Sequence, residues 1–321
     1  MKTRNRILVA LCGGVLALGI SACGDDDEDE TGGDTPSGLS GKIQIDGSST
    51  VAPLSEVAAE LFQEANPDVE VGVGTSGTGG GFEKFCAGET DISDASRVIA
   101  PEEEKLCEEG GVEYEEVQVA NDALTVVINP ENPVTCLSVE QLASIWGPDA
   151  SIESWSEIDD LDAEFSEDLQ LFGPGTDSGT FDYFTEAING EEGVQTKDYN
   201  NVGEDDNATV TGVSGSPGGM GYFGFSFFEE NADTLKALEV DGGEGCVAPA
   251  LETVQDGSYQ PLARGLYIYP SGEALQDEVV QEFVRFYIEN QEEVTTAAGF
   301  IPMTEEQTTE SQDKVESLAG A

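Results

Sequence analysis

The stretch "GTSGTGGGFEKFCAGETDISDASRVI", residues 74–99, decides how the whole chain is read. Before it, "DVEVGVGT" alternates apolar and polar residues and reads as a strand. "GGGFEKFCAG" then opens a helix with Phe82 and Phe85 on one face, and "DISDASRVI" returns as a strand. Strand, polar turn, helix and strand in that order make the repeating unit of a parallel sheet with crossover helices. The pattern continues on both sides. Upstream, "GKIQIDG" is a strand, followed by a helix with Val51, Leu54, Val57, Ala58, Leu61 and Phe62 at helical spacing and Ser49 or Thr50 as N-cap. Downstream, "APEEEKLCEEGG" is a helix with a glycine stop, and "VEYEEVQVA" and "DALTVVINP" are two further strands. "SVEQLASIWG" carries a Ser138/Gln141 capping box. "EDLQLFGPGTDSGTFDYFTEAING" repeats strand, turn and helix, "GSPGGMGYFGFSFFEEN" enters a strand through glycines, and "YQPLARGLYIYP" is a strand. "EALQDEVVQEFVRFYIENQEEVTTAAGF" is helical, with a tail that thins into polar residues. No period repeats, so a solenoid is disfavoured. The fold class is α/β.

The first residues read differently. Lys2, Arg4 and Arg6 precede an apolar run from Ile7 to Ile20, closed by "ISAC" at Cys23. This is the order of a secretory signal, too short for a comfortable membrane span. "ISAC" also resembles the lipobox of bacterial lipoproteins, which implies residues 1–22 as signal peptide and a lipidated Cys23 as the mature N-terminus. Residues 23–41 are acidic and poor in packing groups, as in a disordered tether. The body is therefore expected outside the cell, at the outer face of the membrane or in the periplasm, touching the membrane through lipid only.

Removing residues 1–22 leaves 66 acidic against 9 basic side chains, a formal charge of −57. Nucleic acid is a poor partner for such a surface, which reads as a solvated face suited to high salt. Four cysteines remain in the body, and an even number in an exported chain suggests two disulfides. Of three pairings, Cys86–Cys107 with Cys136–Cys246 is favoured: the first brackets a short unit and the second is then left over. A metal site has little support, because the chain has no histidine and no CxxC. No cofactor is expected.

Three turns share one composition: "DGSSTVAP", "GTSGTGGGF" and "GPGTDSGTF". Each follows a strand and opens a helix, where unpaired amides and the helix dipole favour an anion. One such turn is ordinary capping chemistry. Three at strand carboxyl ends of an α/β sheet point to a ligand site. Arg97, at the end of "DISDAS", is one of three arginines in the body and is expected to grip the oxyanion with parallel hydrogen bonds. Arg264, in "PLARGLY", suits a hinge or a salt bridge equally well and stays outside the expected ligand set. Donors inside a cleft act at low dielectric, whereas exposed carboxylates are screened within ~8 Å, so local donors prevail over net charge.

These residues resemble the phosphate-binding subunit of bacterial phosphate ABC transporters, within the class II substrate-binding proteins. The likeness is carried by "GSSTVAPL", "GTSGTGGGFEKFCAGETDISDASRVI", "GPGTDSGTFDYF", "GGMGYFGF" and "PLARGLYIY", in order, over about residues 42–305. It implies a two-lobed class II periplasmic-binding-protein fold, each lobe a mainly parallel sheet flanked by helices, with the ligand in the cleft between. Lobe I would be 42–119 with 263–321, and lobe II 120–262. It also implies inorganic phosphate as ligand, permease subunits of an ABC transporter as partners, and a monomer. The ligand set implied is Ser49, Thr50, the Val51 amide, Ser76 or Thr78, Ser96 and Arg97, with Ser178, Gly179 and Thr180 from the other lobe. Two departures stand out. Ser96 occupies the place where some members have an aspartate that accepts the ligand's proton, leaving Asp94 or Asp177 for that role, and Pro174 stands where some have an arginine.

An enzyme is the other class. Without histidine, Ser-His and Cys-His pairs are excluded, and neither "GTSGTG" nor "GVSGSP" matches the G-x-S-x-G elbow. Nothing singles out two carboxylates for glycoside hydrolysis. A receptor for sulfate or phosphite shares every loop feature and is the nearer rival; a phosphate-ester hydrolase is the more distant one.

Overall fold

The computed structural model describes residues 38–319 except 177 and 204. The expected signal peptide, Cys23 and all but the end of the tether lie outside these residues. The described chain belongs to one compact unit.

β1 (Gly41–Gly47), α1 (Ala52–Ala65), β2 (Val69–Gly74), α2 (Thr78–Cys86) and β3 (Ile92–Ala95) form the expected crossover unit, with β1 parallel to both β2 and β3. α3 (Pro101–Gly110) stops at Gly111, which takes the left-handed conformation at φ 69°. The Cys86–Cys107 disulfide ties it to α2. Next comes β4 (Val117–Ile128), a single twelve-residue strand where the sequence suggests two. Asn121 and Asp122 interrupt the apolar pattern yet continue the strand, because each finds a buried partner. Asn121 donates to the Pro302 carbonyl at 3.2 Å and to Gln307 at 3.1 Å, and Asp122 pairs with Arg264.

β5 (Cys136–Ser138) leads into α4 (Val139–Trp146), where both bonds of the Ser138/Gln141 capping box form, at 2.7 and 3.1 Å. β6 (Gln170–Gly173), α5 (Gly179–Phe184), β7 (Asn200–Asn201), α6 (Asp206–Gly215) and β8 (Gly219–Gly224) make a second parallel set, β6 lying between β7 and β8. α7 (Phe225–Asn231), β9 (Lys236–Ala237), β10 (Glu239–Asp241), β11 (Cys246–Val247) and α8 (Leu251–Gln255) come after it. β11, β10 and β5 form a small sheet closed by the Cys136–Cys246 disulfide. The return strand β12 (Ala263–Pro270) precedes α9 (Glu278–Glu289), α10 (Gln291–Ala298) and α11 (Glu305–Ala319). The helical stretch read as one is thus two, parted at Asn290. The polar tail is itself a helix, held by Val315 in the core and by Ser311 Oγ donating to the Gln118 carbonyl at 2.9 Å.

The main sheet runs β2-β1-β3-β12-β4-β8-β6-β7, with β9 also paired to β4. β12 is antiparallel to β3 and β4, and β4 antiparallel to β8, so two long strands join the two parallel sets. Two cores lie on either side of that join. One gathers Ile43, Leu54, Phe62, Ile92, Val119, Leu266 and Phe283; the other gathers Val126, Trp146, Trp155, Phe184, Tyr222 and Leu262. β4 feeds the first core up to Ala120 and the second from Ala123, with Asn121 and Asp122 between them.

Candidate anion-binding site

The first turn is built by close packing of β1 on β3. Gly47 has φ 151°, and a Cβ there would lie 2.1 Å from the Asp94 carbonyl oxygen, so only glycine lets Ser48 N–H reach that oxygen at 2.9 Å. Ser48, buried, organises the entry to α1: its Oγ accepts from Thr50 N–H at 3.2 Å and its carbonyl from Ala52 N–H at 3.0 Å. The expected side-chain cap from Ser49 or Thr50 does not form; Val51 is the N-cap of α1, and Ser49 is exposed. Thr50 is thereby free for another role.

Thr50 faces the third turn. A Cβ on Gly179 would lie 3.0 Å from Thr50 Oγ1, so the first and third turns are in contact although 129 positions separate these residues. The amides of Val51, Gly179 and Thr180 donate to no described residue, the condition in which helix-opening amides serve an anion. Ser178, buried, precedes them and makes no capping bond.

The second turn is organised differently. Ser76 gives both its amide, at 3.1 Å, and its hydroxyl to Asp46, which also takes Lys84 Nζ at 2.6 Å. Burial alone would raise the Asp46 pKa, but these donors hold it below the usual carboxylate range. Thr78 Oγ1 and Ser96 Oγ lie 3.1 Å apart, and Ser96 N–H donates to Thr78 Oγ1 at 3.3 Å. Ser76 thus ties the turn to β1, and Thr78 with Ser96 ties it to the end of β3.

Arg97 also has a partner. Its Nη1 and Nη2 donate to the two carboxylate oxygens of Glu103 at 2.8 and 2.9 Å, and Glu103 further caps α3 by accepting from Ala100 N–H at 2.8 Å. Glu103 keeps the guanidinium firmly charged, its pKa raised above the ordinary value. The fork expected to grip the ligand is spent on the Glu103 carboxylate, six residues along the chain. Arg97→Ala should therefore change anion affinity by less than about fivefold in calorimetry, because a half-exposed pair of this kind contributes ~0–1 kcal/mol.

The buried cation is Arg264 instead, its side chain 13% exposed. Nε donates to Asp122 Oδ2 at 3.1 Å, Nη2 to Thr50 Oγ1 at 3.2 Å, and Cζ lies 3.4 Å over the Tyr183 ring of α5. A carboxylate on its edge and an aromatic face beneath it fix the plane of the guanidinium. Nη1 has no described partner, so the free edge of the fork is available to an oxyanion. Burial raises the Asp122 pKa above the ordinary carboxylate value, and the neighbouring Arg264 guanidinium offsets only part of that rise. The Tyr183 hydroxyl, pushed far up by burial, stays protonated and donates to the Pro261 carbonyl at 3.0 Å. One signal in the sequence pointed here: each of the body's three arginines is conspicuous among 66 acidic groups. What it lacked was the register that sets Arg264 opposite Asp122.

Asp94, read as a proton acceptor, is fully buried beneath the first turn and accepts from Ser55 Oγ at 3.0 Å. Asp177 lies outside the described residues. The groups brought together are thus Thr50, the Val51 amide, Ser178, Gly179, Thr180 and Arg264, around a contact between the two halves of the sheet.

A divided α/β sheet joined by two long strands, with helix-opening amides and a buried arginine at the junction, defines a solute-binding protein of the class II periplasmic type. The chain belongs to the PBP superfamily, whose domain model matches residues 32–291, and within it to the PstS-type proteins. It is 46% identical to Protein SphX of Synechococcus elongatus, over 81% of this chain and 77% of that protein. It is 37% identical to the phosphate-binding protein PstS of Staphylococcus saprophyticus, over 96% of this chain and 94% of that one. A crystal structure of a possible phosphate binding protein from Planctomyces limnophilus superposes with a TM-score of 0.83 at 42% identity, over 87% of this chain and 99% of the other.

Proposed function

We propose that this protein is an extracytoplasmic receptor that captures inorganic phosphate and delivers it to the permease of an ABC transporter. It is a binding protein of the PstS type and not an enzyme. The observation that carries the reading is the guanidinium of Arg264, held between Asp122 and Tyr183 with its free edge beside Thr50 and the Gly179 turn. Phosphate oxygens would accept from Arg264, the Thr50 hydroxyl, the amides of Val51, Gly179 and Thr180, and the Ser178 hydroxyl. Ser76, Thr78 and Ser96 support the second turn, Ser49 stays at the rim, and Arg97 steadies α3. Residues 42–119 with 263–321 would move as one lobe and 120–262 as the other, pivoting at Asn121 and Asp122.

Asp122 is better placed than Asp94 to accept the ligand's proton, being 8% exposed and bonded to the arginine that would hold the anion. A carboxylate acceptor there admits hydrogen phosphate and rejects sulfate, which has no proton to give and leaves like charges facing. Among the described residues no helix is long and apolar enough to cross a membrane. The body would be a monomer tethered through lipidated Cys23. Calorimetric titration of the ligand-stripped protein at pH 7 and fixed salt tests the reading. Tight phosphate binding without sulfate binding is expected; a preference for sulfate would reassign the receptor to that oxyanion.

A further inference from the structure

The pairing of β4 with β12 does not keep step along its length. Tyr267 lies opposite Gln118 but Leu266 lies opposite Ala120, so Val119 is an extra residue and β4 carries a β-bulge there. The bulge decides what Arg264 meets. Continued in step from the Tyr267–Gln118 pair, the register would set Arg264 opposite Asn121; with the extra residue it lies opposite Asp122, the carboxylate that fixes its guanidinium.

A bulge disrupts the ladder and leaves polar groups to be satisfied from elsewhere. Here the C-terminal segment supplies them. Ser311 Oγ of α11 donates to the Gln118 carbonyl at 2.9 Å. Gln118 Nε2 spans the bulge, donating to the Ala120 carbonyl at 3.2 Å and to Asn121 Oδ1 at 2.9 Å. The side-chain amides of Asn121 and Gln307 exchange two bonds, at 3.1 and 3.2 Å, while the Asn121 backbone exchanges two with Ile301, at 2.8 and 3.0 Å. Thr304 holds the Gln307 amide in place, its N–H donating to Gln307 Oε1 at 2.9 Å and its Oγ1 accepting from Gln307 N–H at 3.2 Å. Asn121 and Ser311 are buried, so a lost partner there leaves a polar group stranded away from water. Resting on the anion-site reading above, we infer that Gln307 and Ser311 are positioning residues of that site. They hold the bulge at Val119 and through it keep Asp122 opposite Arg264, although they bond to none of the groups placed on the anion.

A double-mutant cycle read by calorimetry, below the melting transition of every variant, tests this. Gln307→Ala/Ser311→Ala is expected to weaken phosphate binding about tenfold in the parent, and less than about twofold in an Arg264→Ala/Asp122→Asn background, where the pair it positions is gone. A merely structural role for α11 would lower the melting temperature in both backgrounds and give no such difference in affinity. Thr309→Ala, exposed on the same helix, should leave affinity unchanged. Should the pair of substitutions prevent folding, Gln307→Ala alone is read in the same way, with about threefold expected. Unchanged affinity in the parent background, or an equal fold-change in both backgrounds, overturns the inference and leaves the anion site standing. A parent protein that binds neither phosphate nor sulfate removes the site reading and the inference with it.

Discussion

Arg264→Ala is expected to weaken phosphate binding by about a hundredfold or more, since charge-assisted hydrogen bonds contribute ~1.5–3 kcal/mol each and the guanidinium offers the anion more than one. The loss has two origins. The oxyanion forfeits the guanidinium beside it, and Thr50, to which Nη2 donates at 3.2 Å, loses the contact that orients it. Asp122 would also be left as an unpaired buried carboxylate, which costs stability. The double variant Arg264→Ala/Asp122→Asn separates these effects, because it removes the stranded charge. Thermal melting should show the double variant recovering stability while calorimetry still shows lost affinity. Arg264→Lys should remain well below the parent, because an ammonium cannot donate along one edge to Asp122 and present a second edge to the ligand. Undiminished affinity in the double variant would take Arg264 out of the site.

Asp94→Asn should raise stability at neutral pH, and by an amount that grows with pH. Complete burial pushes the Asp94 pKa up to about 8; Ser55 Oγ opposes this and the nearby charge of Asp46 adds to it. In the unfolded chain the same carboxyl ionises near its ordinary 3.8. Between these values the native state holds a proton that the unfolded state has released, so the group's contribution to stability falls as pH rises. It is fully present below pH ~4, declines by ~1.4 kcal/mol per pH unit, and levels off above pH ~8, a total of up to about 6 kcal/mol. Asparagine keeps an acceptor for Ser55 Oγ and has no proton to lose in this range. The stability difference between variant and parent in denaturant titrations should therefore open from pH 4 to pH 8 and then stay constant. Parallel pH profiles would mean that Asp94 is ionised in the fold, contrary to its setting: Oδ2 is buried without a described partner, which suits a neutral carboxyl and not a charged one.

Some of the molecule is legible in the residue order because local rules govern it. The crossover unit around residues 74–99, the Ser138/Gln141 capping box and the glycine stop after α3 each depend on neighbours a few positions apart. Both disulfides have the expected pairing. β4 reads as two strands because Asn121 and Asp122 look like a break until their partners, 142 and 181 or more positions away, are in view. The C-terminal helix escapes a reading of the sequence for a similar reason: its own apolar pattern is thin, and its hold on the body runs through Ser311 to Gln118 and through Val315 to the first core.

The sequence by itself determined an α/β chain with three anion-receptive turns and a strongly acidic exterior, since strand and helix periodicity, turn composition and charge are properties of short windows. Which arginine is placed for the proposed site was decided by tertiary structure alone. Arg97 sits in the more suggestive motif, but Glu103 lies six residues on and α3 brings its carboxylate within reach. Arg264 sits in an ordinary strand, but antiparallel pairing sets it opposite Asp122 and the contact between the two halves of the sheet sets it against Thr50 and Tyr183. A guanidinium takes its role from the carboxylates and rings that surround it, and in a folded chain those neighbours come from anywhere along the sequence.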